Sequence, residues 1–141
     1  MDHTSYPDAY LRDILTNART IAVVGASPRP YRPSHGVMRY LQRQGYRAIP
    51  VNPFATEILG ERCYAALADI PGKIDLVDIF RRSDRAGEAV DAAIAIGAGA
   101  IWMQLGVVDV AAARRAEGHG IKVVMDRCPA IEIPRLGLSR G

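Results

Sequence analysis

Residues 21–28 read Ile21-Ala-Val-Val-Gly-Ala-Ser-Pro28, and the reading of this stretch decides the fold. Four apolar residues run without alternation into Gly25, and apolar spacing at a helical period resumes only from Ser34. An unbroken apolar run closed by glycine reads as a strand buried on both faces, which implies a parallel sheet. Where such a strand hands over to a helix, free N–H groups and the positive end of the helix dipole face the carboxyl edge of the sheet. That edge suits a phosphate or another anion. Gly25 admits two readings here: a tight βα turn and nothing more, or a point where the backbone approaches a bound diphosphate.

Outward from this strand, helices and strands alternate. Upstream, Asp8 can cap a helix whose Leu11, Ile14, Leu15 and Ala18 keep a 3.6-residue spacing. Downstream, residues 26–33 carry three prolines and form a loop. Ser34 then caps a helix with Val37, Met38, Tyr40 and Leu41 on one face and Gly45 just past its end. Strands are expected at 46–51, 75–80, 100–105 and 121–125, with a weak edge segment at 62–64 and a helical turn at 65–70. Ser83 caps a helix that ends at Gly97, and Asp109 opens an alanine-rich helix closed by Gly118 and Gly120. The fold class is α/β: a doubly wound, Rossmann-type parallel sheet in a single domain. Residues 1–17 read as an N-terminal helix packing on the domain formed by residues 18–141.

Composition agrees. The chain has 141 residues, 49% hydrophobic and 23% charged, which is ordinary for a globular domain with a full core. No apolar run is long enough to cross a bilayer, so no membrane partner is expected. The first seven residues lack the basic and apolar segments of a signal peptide. Cys63 and Cys128 have no paired spacing, which argues against a disulfide frame or a zinc site and for the reducing cytoplasm. The net charge is +3, but no basic run exceeds two residues and aromatics do not interleave with the basic residues. A small anionic ligand accounts for the surplus better than nucleic acid does.

In this architecture the strand ends deliver Gly25-Ala26-Ser27, Asn52-Pro53, Phe80-Arg81-Arg82, Gln104-Leu105-Gly106 and Asp126-Arg127-Cys128 to one edge. The first loop adds Pro28, Arg29, Arg32, Ser34, His35 and Gly36. Arginine suits phosphate because its planar fork bonds two oxygens at once. A nicotinamide dinucleotide is the first ligand to consider, and two features oppose it. The G-x-G-x-x-G spacing is missing, since the next glycine after Gly25 is Gly36. The second strand also ends in neutral Asn52, where such a fold places an acid on the ribose. Asparagine tolerates a nucleotide richer in phosphate.

Five segments, Gly25-Ala-Ser-Pro-Arg-Pro, Val51-Asn-Pro, Asp75-Leu-Val-Asp-Ile-Phe-Arg-Arg82, Trp102-Met-Gln-Leu-Gly106 and Val124-Met-Asp-Arg-Cys128, fall in order along the chain. With them the chain resembles the family of small, stand-alone CoA-binding proteins, itself similar to the nucleotide-binding domain of the succinyl-CoA synthetase alpha subunit. The likeness covers residues 18–137. It implies a domain that binds CoA or acyl-CoA, a small-molecule nucleotide ligand, across Gly25, Ala26, Ser27 and the following helix start. Asn52, Pro53 and the Phe80-Arg81 corner would stand beside it. The synthetases carry their phosphorylated histidine on a second domain, so that step is not expected of this chain.

Candidate catalysts are few. His3 lies in a terminus expected to be mobile, His119 in a surface turn, and His35 is better suited to a phosphate than to base catalysis. Asp75 begins its strand, and Asp78 is expected to hydrogen-bond to neighbouring loops. No serine–histidine–acid order and no metal-ligand spacing occurs. Cys128 follows Arg127 and precedes Pro129, so it should emerge at the ligand edge beside a positive charge and a helix start, both of which favour a thiolate. The leading expectation is a cytoplasmic CoA-binding protein that is not an enzyme. The alternatives are a thiol-exchange or acyl-transfer enzyme using Cys128, and a subunit of a larger acyl-CoA ligase. A homo-oligomer fits as well as a partner ligase subunit.

Overall fold

A computed structural model of the chain describes residues 1–140. In chain order it contains α1 (Asp8–Asn17), β1 (Thr20–Val24), α2 (Pro33–Arg43), β2 (Arg47–Val51), β3 (Glu57–Ile58), β4 (Glu61–Arg62), a 3₁₀ turn (Leu67–Asp69), β5 (Leu76–Ile79), α3 (Ser83–Ala95), β6 (Ala100–Met103), α4 (Val110–Gly118), β7 (Lys122–Val124) and α5 (Pro129–Arg135). Five strands form one parallel sheet in the order β2-β1-β5-β6-β7. The chain runs outward from β1 to β2 and then returns to the other side of β1 at β5. The loops leaving β1 and β5 therefore part in opposite directions, and a crevice opens between them at the carboxyl edge.

Alternation along each strand sorts the core into two layers. Ala22, Val24, Val77, Ile79, Ile101 and Met103 pack with the apolar faces of α3 and α4. Ile21, Val23, Leu76, Trp102 and Val124 pack with α1, α2 and α5 on the other face. Trp102 is fully buried and gives its indole N–H to Arg127 O at 2.9 Å, so the ring fills the core while its one polar atom pins the segment after β7. Asp78 lies between Leu76 and Phe80 on this second face, in register with Val23 and Trp102.

Several local expectations are corrected. Ser34 and Ser83 do not cap their helices, which start one residue on from Arg32 and at Ser83 itself, with no side-chain cap. Ser34 Oγ instead accepts Ser27 N–H at 3.1 Å, and Ser83 Oγ links the β6 loop by accepting Val108 N–H at 3.0 Å and donating to Gly106 O at 3.2 Å. Asp8 likewise makes no cap bond and pairs with Arg135, whereas Asp109 does cap α4 through Ala112 N–H at 3.0 Å. The weak edge at 62–64 is divided: Glu61–Arg62 pairs with Glu57–Ile58, and Tyr64 makes one parallel bridge to Val51.

The N-terminal segment is held in place. His3 meets the Tyr6 hydroxyl at 2.6 Å and Glu117 at 3.2 Å. Tyr10 Oη donates to Val123 O and accepts from Val123 N–H, both at 2.9 Å, and Tyr6 Oη accepts Met125 N–H at 2.8 Å. Two phenol groups thus satisfy the outer edge of β7 where a further strand would otherwise pair.

Candidate functional site

The crevice at the carboxyl edge is a cleft of about 900 Å³. Its wall begins at Gly25, whose φ of +85° turns the chain out of β1; a side-chain carbon there would collide with the Phe80 backbone carbonyl. Gly25 N–H is already bonded to Val51 O at 3.0 Å and Ser27 N–H to Ser34 Oγ. The loop is braced further by His35 Nδ1–H donating to Ser27 O at 3.0 Å and Asn52 Nδ2–H donating to Ala26 O at 2.8 Å. Asn52 Oδ1 meanwhile accepts Phe54 N–H at 2.7 Å. Its carboxamide therefore ties the end of β2 to the first loop, which explains a neutral residue at this position.

Since these loop amides are engaged internally, the capacity to hold an anion lies on side chains. Arg29, Arg32, Arg81 and Arg82 line the cleft and are exposed. Arg82 pairs with Asp84 at 3.2 Å, while Arg29, Arg32 and Arg81 have no acidic partner among the described residues, and no carboxylate lines the cleft. Four guanidinium groups facing one acid leave a positive potential over the opening.

The inner end is different in kind. Phe80 and Val107 line it together with Gln104 and Cys128, both of which are only 6% exposed, while the lining residue Leu105 is 55% exposed. Gln104 Oε1 is buried without a hydrogen-bond partner among the described residues. Cys128 Sγ makes no hydrogen bond among the described residues. Arg127 N–H bonds to Met103 O at 3.3 Å, yet its guanidinium turns away from the cleft, donating to Asp126 O at 2.8 Å and Thr4 O at 3.4 Å over the Tyr6 ring. The charge expected beside Cys128 is thus spent on the N-terminal segment. Cys63 lies outside the cleft, with its S–H directed at Asn52 O (3.4 Å) and its thiol pushed up by burial.

Of the residues singled out from the sequence, Gly25, Ala26, Ser27, Pro28, Arg32 and Ser34 line the cleft. Asn52, Phe80, Arg81, Arg82, Gln104, Gly106 and Cys128 line it too. His35, Gly36 and Pro53 do not: His35 braces the loop from within α2, Gly36 lies inside the same helix, and Pro53 is exposed. Phe54, 95% exposed at the lip, was not anticipated, although a phenylalanine directly after Asn52-Pro53 in a turn is itself a signal.

Asp78 does not line the cleft and is wholly buried. The hydrogen bonds expected from it to neighbouring loops are absent among the described residues, and burial raises its pKa well above the usual carboxylate range. Asp75 Oδ2 instead accepts Arg19 and Thr20 N–H at 3.0 Å each and anchors the start of β1. Among the described residues no group of three metal-ligating side chains is found, and no helix is long and apolar enough to cross a membrane.

Comparisons with known proteins converge on one family. A family model described as a CoA binding domain matches residues 19–134. The uncharacterized protein YneT of Bacillus subtilis is 39% identical over 120 residues, covering 85% of this chain and 89% of that protein. A solved structure of a hypothetical protein from Pyrococcus horikoshii superposes with a TM-score of 0.90 at 40% identity, covering 96% of this chain and 99% of that one. The ADP-forming acetate–CoA ligase I of Archaeoglobus fulgidus is 30% identical over 122 residues, which is 78% of this chain but only 18% of the ligase.

Proposed function

The chain belongs to this family of CoA-binding domains, and from that premise we propose that it is a CoA- or acyl-CoA-binding protein of the cytoplasm. One observation carries the reading: a single cleft joins a rim of arginines lacking acid partners to an apolar inner end with an unmatched carboxamide. A ligand that fits must be polyanionic at one end and slender, apolar and amide-bearing at the other, which describes CoA. Arg29, Arg32 and Arg81 take the phosphates as planar donors. The arm runs past Phe80 toward Gln104, Val107 and Cys128.

The proposed role is binding: a carrier, a sensor, or a CoA-handling subunit. The subunit reading rests on the likeness to the acetate–CoA ligase, in which the matched segment is a minor part of a longer chain. Calorimetric titration tests the binding. CoA or an acyl-CoA is expected to bind while NAD and NADP do not, and mass spectrometry of protein purified without added nucleotide should find CoA-type ligands. NAD binding as tightly as CoA overturns the proposal. A ligase chain that co-purifies would favour the subunit reading over the carrier.

A further inference from the structure

Gln104 and Cys128 each directly follow a residue of one backbone hydrogen bond, and both line the cleft. Arg127 N–H donates to Met103 O (3.3 Å) and Trp102 Nε1–H to Arg127 O (2.9 Å), so the segment after β7 is stitched to the end of β6. The next residue along each is Cys128 and Gln104, and both line the inner end of the cleft. The Gln104 side chain is nine-tenths buried, its Oε1 has no partner, and its amide donates no hydrogen bond among the described residues. A buried carboxamide left unmatched is costly, and its natural complement is a ligand group that both donates and accepts: a secondary amide. A thiol with a free sulfur lines the same cleft, while Cys63 has its S–H occupied and lies outside the cleft.

We propose that Cys128 is a thiol–disulfide exchange site for CoA disulfide, with Gln104 as the positioning residue that holds the terminal amide of the arm so that its sulfur meets Sγ. The proposal rests on the CoA reading above. In the step, the Cys128 thiolate attacks one sulfur of the disulfide. The Cys128–CoA bond forms as the CoA–CoA bond breaks, and the second CoA leaves as a thiolate that takes up the proton Cys128 has lost. Cys128 is oxidised and one CoA is reduced; no further oxidant is needed. The mixed disulfide makes occupancy of the cleft depend on the oxidation state of the CoA pool.

The test is mass spectrometry of the full chain incubated with CoA disulfide, alongside calorimetry with reduced CoA. A single adduct is expected, mapped to Cys128 and removed by dithiothreitol. Relative to its reaction with free cysteine, CoA disulfide should react at least about tenfold faster than 2-hydroxyethyl disulfide, which has no amide. Gln104→Leu should bring that ratio toward one while Cys63→Ser leaves it unchanged. Cys128→Ser and Cys128→Ala should both lose the adduct. CoA binding without an adduct, an adduct on Cys63, or equal rates for the two disulfides overturns the exchange site and leaves the binding function standing. Absence of CoA binding by the wild type overturns the binding function and this proposal with it.

Discussion

The backbone carbonyl of Phe80 occupies the space that a side-chain carbon on Gly25 would need. Glycine at the end of β1 is therefore required first by the sheet, because β1 and β5 approach each other there, and only second by a ligand. Gly25→Ala adds a clash with backbone to a φ of +85°, which L side chains adopt at a cost of roughly 1–2 kcal/mol on its own. The expected outcome is a loss of about 3 kcal/mol or more and a Tm lower by roughly 10 °C, measured by thermal unfolding. A variant with unchanged Tm that merely fails to bind would mean that the close approach is relieved at no cost.

The arginines divide the ligand between them. Replacing Arg32 or Arg81 by Ala should weaken CoA binding by about 1.5–3 kcal/mol, the usual range for hydrogen bonds to charged groups. Titration with dephospho-CoA then assigns each one: the arginine that serves the 3′-phosphate loses its effect, while one that serves the diphosphate keeps it. Arg82, already paired with Asp84, should matter least.

Phe54 presents an almost bare ring at the lip of the cleft, held there by the bond from its N–H to Asn52. A ring so exposed contributes little to folding, so Phe54→Ala should leave Tm unchanged. Stacking of the adenine on it predicts a loss of about 1–3 kcal/mol in CoA affinity. Phe54→Trp should restore binding, and phosphopantetheine, which has no base, should bind both forms equally. Equal losses for the two ligands would remove the base from this position.

Asp78 gives the fold a pH dependence of definite sign. In the unfolded chain its carboxyl titrates near 4, whereas burial raises the folded value well above the ordinary range. Between those two values the folded state holds a proton that the unfolded state has released. Stability therefore falls as pH rises from about 4 until the folded pKa is passed, with a limiting slope of about 1.4 kcal/mol per pH unit for one proton. Asp78→Asn, which keeps the shape of the neutral acid, should fold and flatten this slope in denaturant titrations taken at a series of pH values. An unchanged slope would assign it to other groups.

The alternation of apolar runs with helical spacing displayed the five strands of the main sheet, and βα handedness then delivered their carboxyl ends to one edge. That is why the arginines, Gln104 and Cys128 could be placed together before any contact was known. Direction was harder to read. Arg127 adjoins Cys128 in the chain but is drawn away by Tyr6 and Thr4, residues more than a hundred positions upstream. Ser34 and Ser83 occupy positions suited to caps, yet each bonds to a loop that tertiary folding brings within reach. Asn52 showed its neutrality but not its partners. Asp78, whose side chain has no partner among the described residues, belongs to a strand whose pattern could equally have carried a bonded acid.

The tyrosines that close the outer side of β7 have a consequence for assembly. At the opposite border, Tyr64 bonds to Pro50 O and to Asn52 N–H, so the carboxyl end of β2 is also occupied on its outer side. Engaged borders of this kind oppose the joining of copies by extension of the sheet from one to the next. Removing residues 1–10 would reopen one border, and the truncated chain should then show sheet-mediated clustering, seen as a concentration-dependent increase in light scattering.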